Sequence, residues 1–164
     1  MKDDVILLPE GVVCYPYYYE TEELPFAVLG MSDEMPYRST RYCDMTEDMT
    51  EKLMNVLSKH LLRVVEEFNP DIILCHHLYF ITSLVRELYP AKKIYAICHG
   101  SDLRQMKKNL WQLDYIRSQI SKLDGIFALH KEQRLDIIDT YGCDNDRVSV
   151  IGTGYNKEVF FKQK

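Results

Sequence analysis

The clearest pattern of hydrophobic positions lies between residues 46 and 68, where apolar side chains recur every three or four positions. This spacing is typical of a helix with one buried face. The apolar positions are Met49, Leu53, Val56, Leu57, Leu61, Val64, Val65 and Phe68. Asp44, followed three residues later by Glu47, resembles a capping box, and Asn69-Pro70 predicts the end of the helix.

Beyond residue 70 the pattern changes to short apolar runs that alternate with helical segments. We predict strands at 72–75, 93–98, 125–129 and 147–151, and helices at about 79–89, 109–122 and 131–141. Gly142 fits the position that follows the last of these helices. The strand-like runs are apolar throughout, as expected when helices cover both faces of a parallel sheet. The chain is therefore predicted to be one α/β domain over residues 1–164, a Rossmann-like open, mostly parallel sheet with helices on both faces.

The first 45 residues show little periodicity. Val5–Leu8 predicts a short strand, and Leu24–Leu29 predicts an edge strand, because proline is tolerated at a sheet edge. So little regular structure over residues 9–45 indicates a functional loop region or a piece that packs on something else. The Tyr15–Tyr19 run has three interpretations: a stacking platform for a sugar ring, a peripheral membrane contact, or half-buried packing at an edge, the commonest of the three.

The composition is that of one globular domain, with 46% hydrophobic and 27% charged residues. No apolar run approaches the roughly 18 residues of a membrane span, and no secretory signal is visible. The formal charge of −5 argues against nucleic acid as a partner. Residues 1–69 carry 14 acidic and 6 basic groups, whereas residues 70–164 carry 11 acidic and 14 basic groups. An anionic ligand is therefore expected in the second part.

The five cysteines contain no C-x-x-C pair and no spacing typical of zinc sites. Cys75 and Cys98 lie in strand-like runs, where a free thiol behaves as a small hydrophobic group. We therefore expect a reduced, cytoplasmic protein without disulfides.

Four of the five histidines follow predicted strands: His76, His77, His99 and His130. In open parallel sheets, ligands bind beyond the carboxyl ends of the strands, so this clustering favours a site there. His99 is the strongest candidate. An imidazole in that place donates to a substrate hydroxyl or phosphate, or acts as an acid or base near neutral pH.

The residues after His99 have a functional and a structural interpretation. Gly100 lets a ligand approach the backbone closely. Ser101 and Asp102 are good N-caps for a following helix, whose free N–H groups suit an anion. Alternatively, they only cap that helix and His99 only closes a turn. The local sequence leaves the two interpretations evenly balanced.

The other histidines are weaker candidates. Within a strand, His76 and His77 would point to opposite faces, so they face one ligand only if the strand has ended. A zinc site built from them and His99 lacks a carboxylate or thiolate at a suitable spacing, and we expect no metal. His130 either lines the site or opens the next helix, and His60 is expected to pack beside the helical stripe.

Two loops carry further candidates. Arg38 and Arg41 supply guanidinium groups that either clamp a phosphate or carboxylate, or pair with the carboxylates between residues 33 and 44. Gly152-Thr153-Gly154 follows the last predicted strand. It is a hinge, a close approach of backbone to ligand, or only a tight turn.

Roughly residues 68–161 together resemble the amino-terminal half of a family 4 glycosyltransferase of the GT-B type. Asn69-Pro70-Asp71-Ile72-Ile73 is similar to that family's PDIIH strand, and Cys98-His99-Gly100-Ser101-Asp102 to its HGTD strand end. Leu123–Leu129 resembles the ADAVIALS segment, and Asp146–Ile151 resembles the strand before PNGVD. The order and spacing of these motifs carry the resemblance, whereas the preceding residues match weakly.

The resemblance implies transfer of a sugar from a nucleotide-sugar to an acceptor, with no cofactor and no required metal. It implies two Rossmann-like domains, with the acceptor held by the amino-terminal domain and the nucleotide by the carboxyl-terminal one. The histidine matching His99 lies in the cleft beside the transferred sugar, and the turn matching Gly152-Thr153-Gly154 lies at the interdomain crossing. Thr153 departs from the family, which has asparagine there.

Two further departures concern the ends of the domain. Pro9-Glu10-Gly11-Val12-Val13, after the first predicted strand, matches neither a dinucleotide-binding fingerprint nor a Walker A pattern, and no donor domain follows. We therefore expect an excised acceptor-side domain, lacking its usual start and inactive by itself. Two alternatives stay open: a non-catalytic flavodoxin-like module that binds a small polar ligand, and half of a sugar-nucleotide epimerase of GT-B shape.

Overall fold

The structure is a computed structural model that describes residues 8–154, 156 and 158–160. These residues form α1 (Glu47–Phe68), β1 (Ile72–His76), α2 (Phe80–Leu88), β2 (Lys93–Ile97), α3 (Ser101–Lys108), α4 (Leu113–Ile120), β3 (Gly125–Ala128), α5 (Lys131–Tyr141) and β4 (Val148–Val150). Short 3₁₀ turns, Tyr42–Asp44 and Asn145–Arg147, precede α1 and β4. The four strands predicted after residue 70 are confirmed to within one residue at each end.

The four strands form one parallel sheet in the order β1-β2-β3-β4. Because neighbouring strands are parallel, each connection crosses through helical structure and returns to the same edge. The carboxyl ends of all four strands therefore lie along one edge, where the loops after His76, Ile97, Ala128 and Val150 begin. The predicted Rossmann-like open parallel sheet is confirmed.

The helices form one layer against one face of this sheet. α2 packs against α1 and α4, while α5 packs against α3, α4, β3 and β4. The covered face carries Ile94, Ala96 and Ile126, which are buried. The opposite face carries Ile72 and Leu74, which are 57% and 51% exposed. The described residues thus supply a helical layer on one face only, and not the second layer that the apolar strands predicted.

A stacked aromatic pair also lies on this uncovered face. The rings of Tyr95 and Phe127 are 6.0 Å apart between centroids, with 12° between their planes. Tyr95 pairs in register with Gly125, where an added Cβ would stand 2.8 Å from the Tyr95 ring. Glycine is therefore required at position 125, because the tyrosine ring covers that part of the strand.

The long helix α1 confirms the strongest hydrophobic pattern, but its amino-terminal cap differs from the prediction. Thr46, not Asp44, is the N-cap, and its side chain accepts a hydrogen bond from the Met49 N–H. Asp44 lies in the preceding 3₁₀ turn and pairs with Arg41 at 2.7 Å. Asn69, in the left-handed conformation at φ 45°, ends the helix as predicted.

The predicted helix at 109–122 is partly wrong, since the structure has two shorter helices, α3 and α4, between β2 and β3. Gln112 stands between them with a positive φ of 54° and breaks the continuity. Within α3, Leu103 and Met106 are the only large apolar side chains, so hydrophobic periodicity is too weak to indicate the helix. By contrast, α5 has the predicted bounds, and Gly142 follows it with φ 68°.

The amino-terminal segment packs on the domain without joining the sheet. The predicted edge strand Leu24–Leu29 is wrong: a single bridge joins Leu29 to Thr40, and Thr21 and Leu24 form a turn. Leu24 is nevertheless fully buried, so the apolar pattern reflected packing and not strand pairing. All but the last residue of the predicted strand Val5–Leu8 lies outside the described residues.

Candidate functional site

Three histidines meet at the carboxyl edge of the sheet. His76 is the last residue of β1, and its Nδ1 lies 2.9 Å from Nε2 of His99, which follows β2. The His77 ring centroid is 4.6 Å from that of His99, and the His76 centroid is 5.1 Å from it. The sequence allowed His76 and His77 to share a partner only if the strand ended there. β1 does end at His76, and both imidazoles lie next to His99.

The backbone at His77 explains how two adjacent histidines reach one side. His77 has φ 68°, in the left-handed region that β-carbon-bearing residues seldom adopt. Its N–H donates to the Ile97 carbonyl at 3.0 Å, and its carbonyl accepts from the Thr82 hydroxyl at 2.6 Å. These bonds on both sides of the residue hold the strained conformation in place.

Asp102 fixes the two turns that carry the histidines. Its carboxylate is fully buried and accepts hydrogen bonds from the Leu78 N–H at 2.7 Å and the His99 N–H at 3.3 Å. The Cys98 thiol and the Leu103 N–H also donate to it. With no exposed surface, Asp102 does not contact a ligand as expected from the sequence; it positions the histidine turns instead.

Gly100 and Ser101 begin α3 in a different way from the prediction. The N-cap is Gly100, with φ 81°, while Ser101 and Asp102 are the first helical residues. The Ser101 hydroxyl lies 3.4 Å from His77 Nδ1, which places it within the histidine cluster. An added Cβ at Gly100 would stand 3.5 Å from the buried Gln133 side chain. The constraint at Gly100 is therefore its backbone conformation and not lack of space.

Sequence reasoning ranked one residue of this site too low and missed another. His76, a weaker candidate in the sequence, contacts His99 directly. Gln133 accepts a hydrogen bond from the Leu129 N–H at 2.6 Å and reaches Gly100 from α5. No local pattern in the sequence indicates Gln133, because its contacts come from separate elements.

Burial and neighbouring groups shift the pKa of His77 and of the nearby Cys98 thiol. Burial lowers the pKa of His77 below its usual 6.5, and the nearby His99 and His76 lower it further, against an opposite effect of Asp102. Burial also raises the pKa of the Cys98 thiol, and the Asp102 carboxylate adds to this. Cys98 is therefore a packed thiol and not a nucleophile.

The structure places two other candidates outside the cluster. His130 is the N-cap of α5: its Nδ1 accepts from the Gln133 N–H at 3.2 Å, with Glu132 3.1 Å away. Of the two roles that the sequence allowed for His130, the structure shows the one at the start of the next helix. Arg38 is exposed and pairs with Glu20 at 3.1 Å, and Arg41 pairs with Asp44. The structure shows no contact of either arginine with the three histidines in the part of the chain that it describes.

The glycines after β4 lie where the chain leaves the same edge of the sheet. Ile151 donates its N–H to the Ala128 carbonyl at 2.9 Å, and Gly152 and Gly154 follow with φ of 75° and 65°. Thr153 between them is exposed. The hinge, the close backbone approach and the tight turn all stay open, and the family role at an interdomain crossing stays a prediction.

Three further features bear on what this domain can bind. Among residues 8–154, 156 and 158–160, no group of three or more His, Cys, Asp or Glu side chains is arranged to hold a metal ion. No described helix combines the length and apolar character that a membrane crossing needs. A cavity of about 620 Å³ lies between the start of α1 and Trp111, and none of the described histidines lines it.

Comparison with known proteins agrees with the motifs at this edge. The family model for Glycosyltransferase Family 4 matches residues 34–159, which span β1 to β4 and all five helices. Comparison with curated proteins gives no significant match. The match covers well over half of the chain and includes the three histidines and Gly152-Thr153-Gly154. The chain therefore belongs to Glycosyltransferase Family 4 and has the amino-terminal domain type of GT-B glycosyltransferases.

Proposed function

We propose that this domain is the acceptor-side half of an enzyme that transfers a sugar, of the hexose class, from a nucleotide-sugar to an acceptor. The observation that supports this most is the His76–His99 pair at the carboxyl edge of the sheet. Ligands of open α/β sheets bind at this edge, and the family match includes both strand ends.

In this proposal His99 is the catalytic residue, because it is exposed and its ring lies at the end of β2. Its imidazole hydrogen-bonds a hydroxyl of the transferred sugar or the acceptor, or exchanges a proton with it. Ser101, His77 and the backbone at Gly100 contact the acceptor. Asp102 is a positioning residue that acts through the two turns.

The remaining parts of the proposal concern the nucleotide, the metal requirement, two weaker substrate contacts and the location. The nucleotide is bound by a second domain across the cleft, with Gly152-Thr153-Gly154 on the side facing it. Transfer needs no metal, and we expect activity to persist in a chelating buffer. Arg38 and His130 are weaker proposals as substrate contacts, since Arg38 pairs with Glu20 and His130 caps α5. The five free cysteines are consistent with a reducing, cytoplasmic location.

The proposal is tested on the full reading frame that encodes this domain, incubated with a panel of nucleotide-sugars and candidate acceptors. Release of the nucleotide is measured for the full protein and for the 164-residue chain. We expect turnover by the full protein and none by the chain alone. Turnover by the chain alone contradicts the half-enzyme assignment, and saturable binding without turnover by the full protein favours the binding-module alternative.

The role of His99 has its own test within that assay. We expect His99→Ala to lower kcat by about 100-fold or more, since positioned acid or base groups contribute on that order. The matched control is His60→Gln, because His60 lies on α1 and its Nε2 contacts the Tyr15 carbonyl at 2.9 Å, outside the cluster. Equal kcat in the two variants removes His99 from the reaction.

A further inference from the structure

One arginine at the carboxyl edge of the sheet has no partner among the described residues. Arg104 lies on α3 and is exposed, and no described residue forms a hydrogen bond or a salt bridge with its guanidinium group. The other arginines each pair with a carboxylate, a carbonyl or an imidazole: Arg38, Arg41, Arg63, Arg86, Arg117, Arg134 and Arg147. Arg104 therefore carries the one guanidinium charge that the described part of the chain leaves available to a ligand.

The Arg104 guanidinium group and the Gln133 side-chain amide converge over Gly100. Measured from the point where a Cβ on Gly100 would stand, Nε2 of Gln133 is 3.5 Å away and Nη1 of Arg104 is 4.0 Å away. Apart from the residues next to Gly100 in the chain, no other described group lies within 4 Å of that point. Because glycine has no side chain, the space is open, and two N–H donors border it.

The Gln133 amide is held in one orientation. Its Oε1 accepts a hydrogen bond from the Leu129 N–H at 2.6 Å, so the oxygen and not the NH₂ group faces Leu129. The NH₂ group is thereby turned toward Gly100, and it has no acceptor among the described residues. Gln133 is only 6% exposed, yet its amide nitrogen keeps contact with solvent. A buried side chain thus presents an unpaired donor to this space, and such a donor needs an acceptor.

The next turn of the same two helices shows what would neutralise Arg104 within the protein. α3 packs against α5, and Lys107 pairs with Asp136 across them at 3.1 Å. Arg104 and Gln133 stand three residues earlier on each helix, and position 133 carries an amide where position 136 carries a carboxylate. The charge of Arg104 and the amide donor of Gln133 therefore border one space without an acceptor between them.

The carboxylates on the other side of Arg104 do not neutralise it either. Arg104 borders a cavity of about 250 Å³ that Asp33 and Glu34 also line. Asp33 pairs with Lys108, and neither carboxylate lies within salt-bridge distance of Arg104 in the part of the chain that the structure describes. The guanidinium charge is thus not cancelled by a contact on that side.

We propose that the space over Gly100 binds a phosphate group of the acceptor through the Arg104 guanidinium group and the Gln133 amide. Guanidinium groups bind phosphate through several N–H donors at once. A phosphate presents oxygens in several directions, which suits donors that come from two helices. α3 begins after Gly100 and α5 after His130, so the positive ends of both helices lie at this edge and add to the attraction.

Either substrate of the proposed reaction can supply a phosphate: the acceptor as a phosphate monoester, or the nucleotide-sugar through its diphosphate. The acceptor is the source in this proposal, because the nucleotide is bound by the second domain. Gly100 directly follows His99, so a phosphate over Gly100 places the acceptor beside the proposed catalytic imidazole. The inference rests on the proposed function only for the word acceptor; the phosphate site itself is independent of it.

The test titrates the 164-residue chain with inorganic phosphate at constant ionic strength and follows the side-chain N–H signals of Arg104 and Gln133 by NMR. We expect saturable binding that moves both signals. Arg104→Gln should weaken phosphate binding about tenfold or more, because a charged donor is lost. Gln133→Glu keeps the acceptor for the Leu129 N–H and supplies the missing carboxylate, so it should pair with Arg104 and abolish binding. The matched control, Arg63→Gln, removes the same charge from an exposed position on α1 and should leave the affinity unchanged.

Glycerol phosphate and uridine diphosphate, titrated in the same way, separate the two sources of phosphate. We expect glycerol phosphate to bind at least as tightly as uridine diphosphate, and both to depend on Arg104. Tighter binding of uridine diphosphate that is lost in Arg104→Gln moves the site to the nucleotide-sugar and overturns its assignment to the acceptor.

The phosphate site itself is overturned if phosphate does not bind, if it binds without moving the Gln133 signals, or if Arg104→Gln weakens binding no more than Arg63→Gln does. Retained binding in Gln133→Glu overturns it as well, and Arg104→Gln, at an exposed position, decides the matter if Gln133→Glu does not fold. None of these measurements needs sugar transfer. Phosphate binding without transfer therefore leaves the site standing while the transferase proposal falls, and transfer without phosphate binding separates them the other way.

Discussion

Nδ1 of His76 lies 2.9 Å from Nε2 of His99, so a hydrogen bond between side chains joins the end of β1 to the residue after β2. For this contact to be a hydrogen bond, one nitrogen carries the hydrogen and the other accepts it. His76 thereby orients the His99 ring and couples the tautomer of one imidazole to that of the other. A neighbour that orients an imidazole in this way acts as a positioning residue.

We therefore expect His76→Ala to lower kcat of the full-length enzyme by about tenfold, less than His99→Ala, and to leave KM for the nucleotide-sugar unchanged. Because the partner coupled to the His99 tautomer is lost, the pH dependence of kcat should also shift. The measurement is a pH–rate profile of both variants. An unchanged profile with an unchanged kcat contradicts the positioning role.

His77 makes the stability of the domain depend on pH. Its pKa is below 6.5 in the folded chain, so the unfolded chain takes up this proton first as the pH falls through 6.5. Stability therefore rises with pH in that window and is lost on acidification below it. Asparagine tolerates the left-handed conformation of residue 77 and does not titrate.

We accordingly expect His77→Asn to lose less of its melting temperature between pH 7.5 and 5 than the unchanged chain. The measurement is thermal unfolding at matched ionic strength, with His130→Asn as control, because His130 is exposed and has an ordinary negative φ. If both variants lose as much melting temperature as the unchanged chain, His77 is not a source of the acid sensitivity.

Asp102 should affect folding more than its place in a ligand motif suggests. In Asp102→Asn the amide oxygen can accept from the Leu78 and His99 N–H groups only if the NH₂ group faces the Leu103 N–H, which is also a donor; the opposite orientation sets the NH₂ against the Leu78 and His99 N–H groups. We expect a loss of about 2–4 kcal/mol in the free energy of unfolding, measured by urea denaturation. The control, Asp71→Asn on the exposed turn before β1, should change it by less than about 0.5 kcal/mol. Equal losses in the two variants would falsify the buried-acceptor role.

Leucine-to-alanine substitutions in the core and on the uncovered face of the sheet should lower the free energy of unfolding by different amounts. Leu57 of α1 is 1% exposed and belongs to the core, whereas Leu74 of β1 lies on the uncovered face. We expect Leu57→Ala to cost about 2–5 kcal/mol and Leu74→Ala less than about 1 kcal/mol. Urea denaturation of the chain measures both. A loss at Leu74 as large as that at Leu57 shows that the face is covered.

Much of the fold could be predicted from the sequence because its strong elements are local. The stripe of α1 and the four apolar strands follow from periodicity, and Asn69 and Gly142 mark helix ends through their own backbone preferences. α3 was indicated only by its capping residues Ser101 and Asp102 and not by periodicity, since a helix with two large apolar residues is stabilised by its packing and not by its pattern. Leu24 was misread as a strand residue because burial in a loop and burial in a strand look alike in one dimension.

For the candidate site, too, the sequence determined one part and the tertiary structure decided the rest. The sequence by itself determined that histidines follow parallel strands, and hence that His99 and its neighbours lie at one edge, because parallel strands place their carboxyl ends together. Only the tertiary structure decided which side chains touch. The left-handed backbone at His77 joins three imidazoles, the buried carboxylate of Asp102 becomes a support, and Arg104 and Gln133 converge over Gly100 from two helices. These contacts join distant segments through packing and hydrogen bonds, which no local pattern of residues encodes.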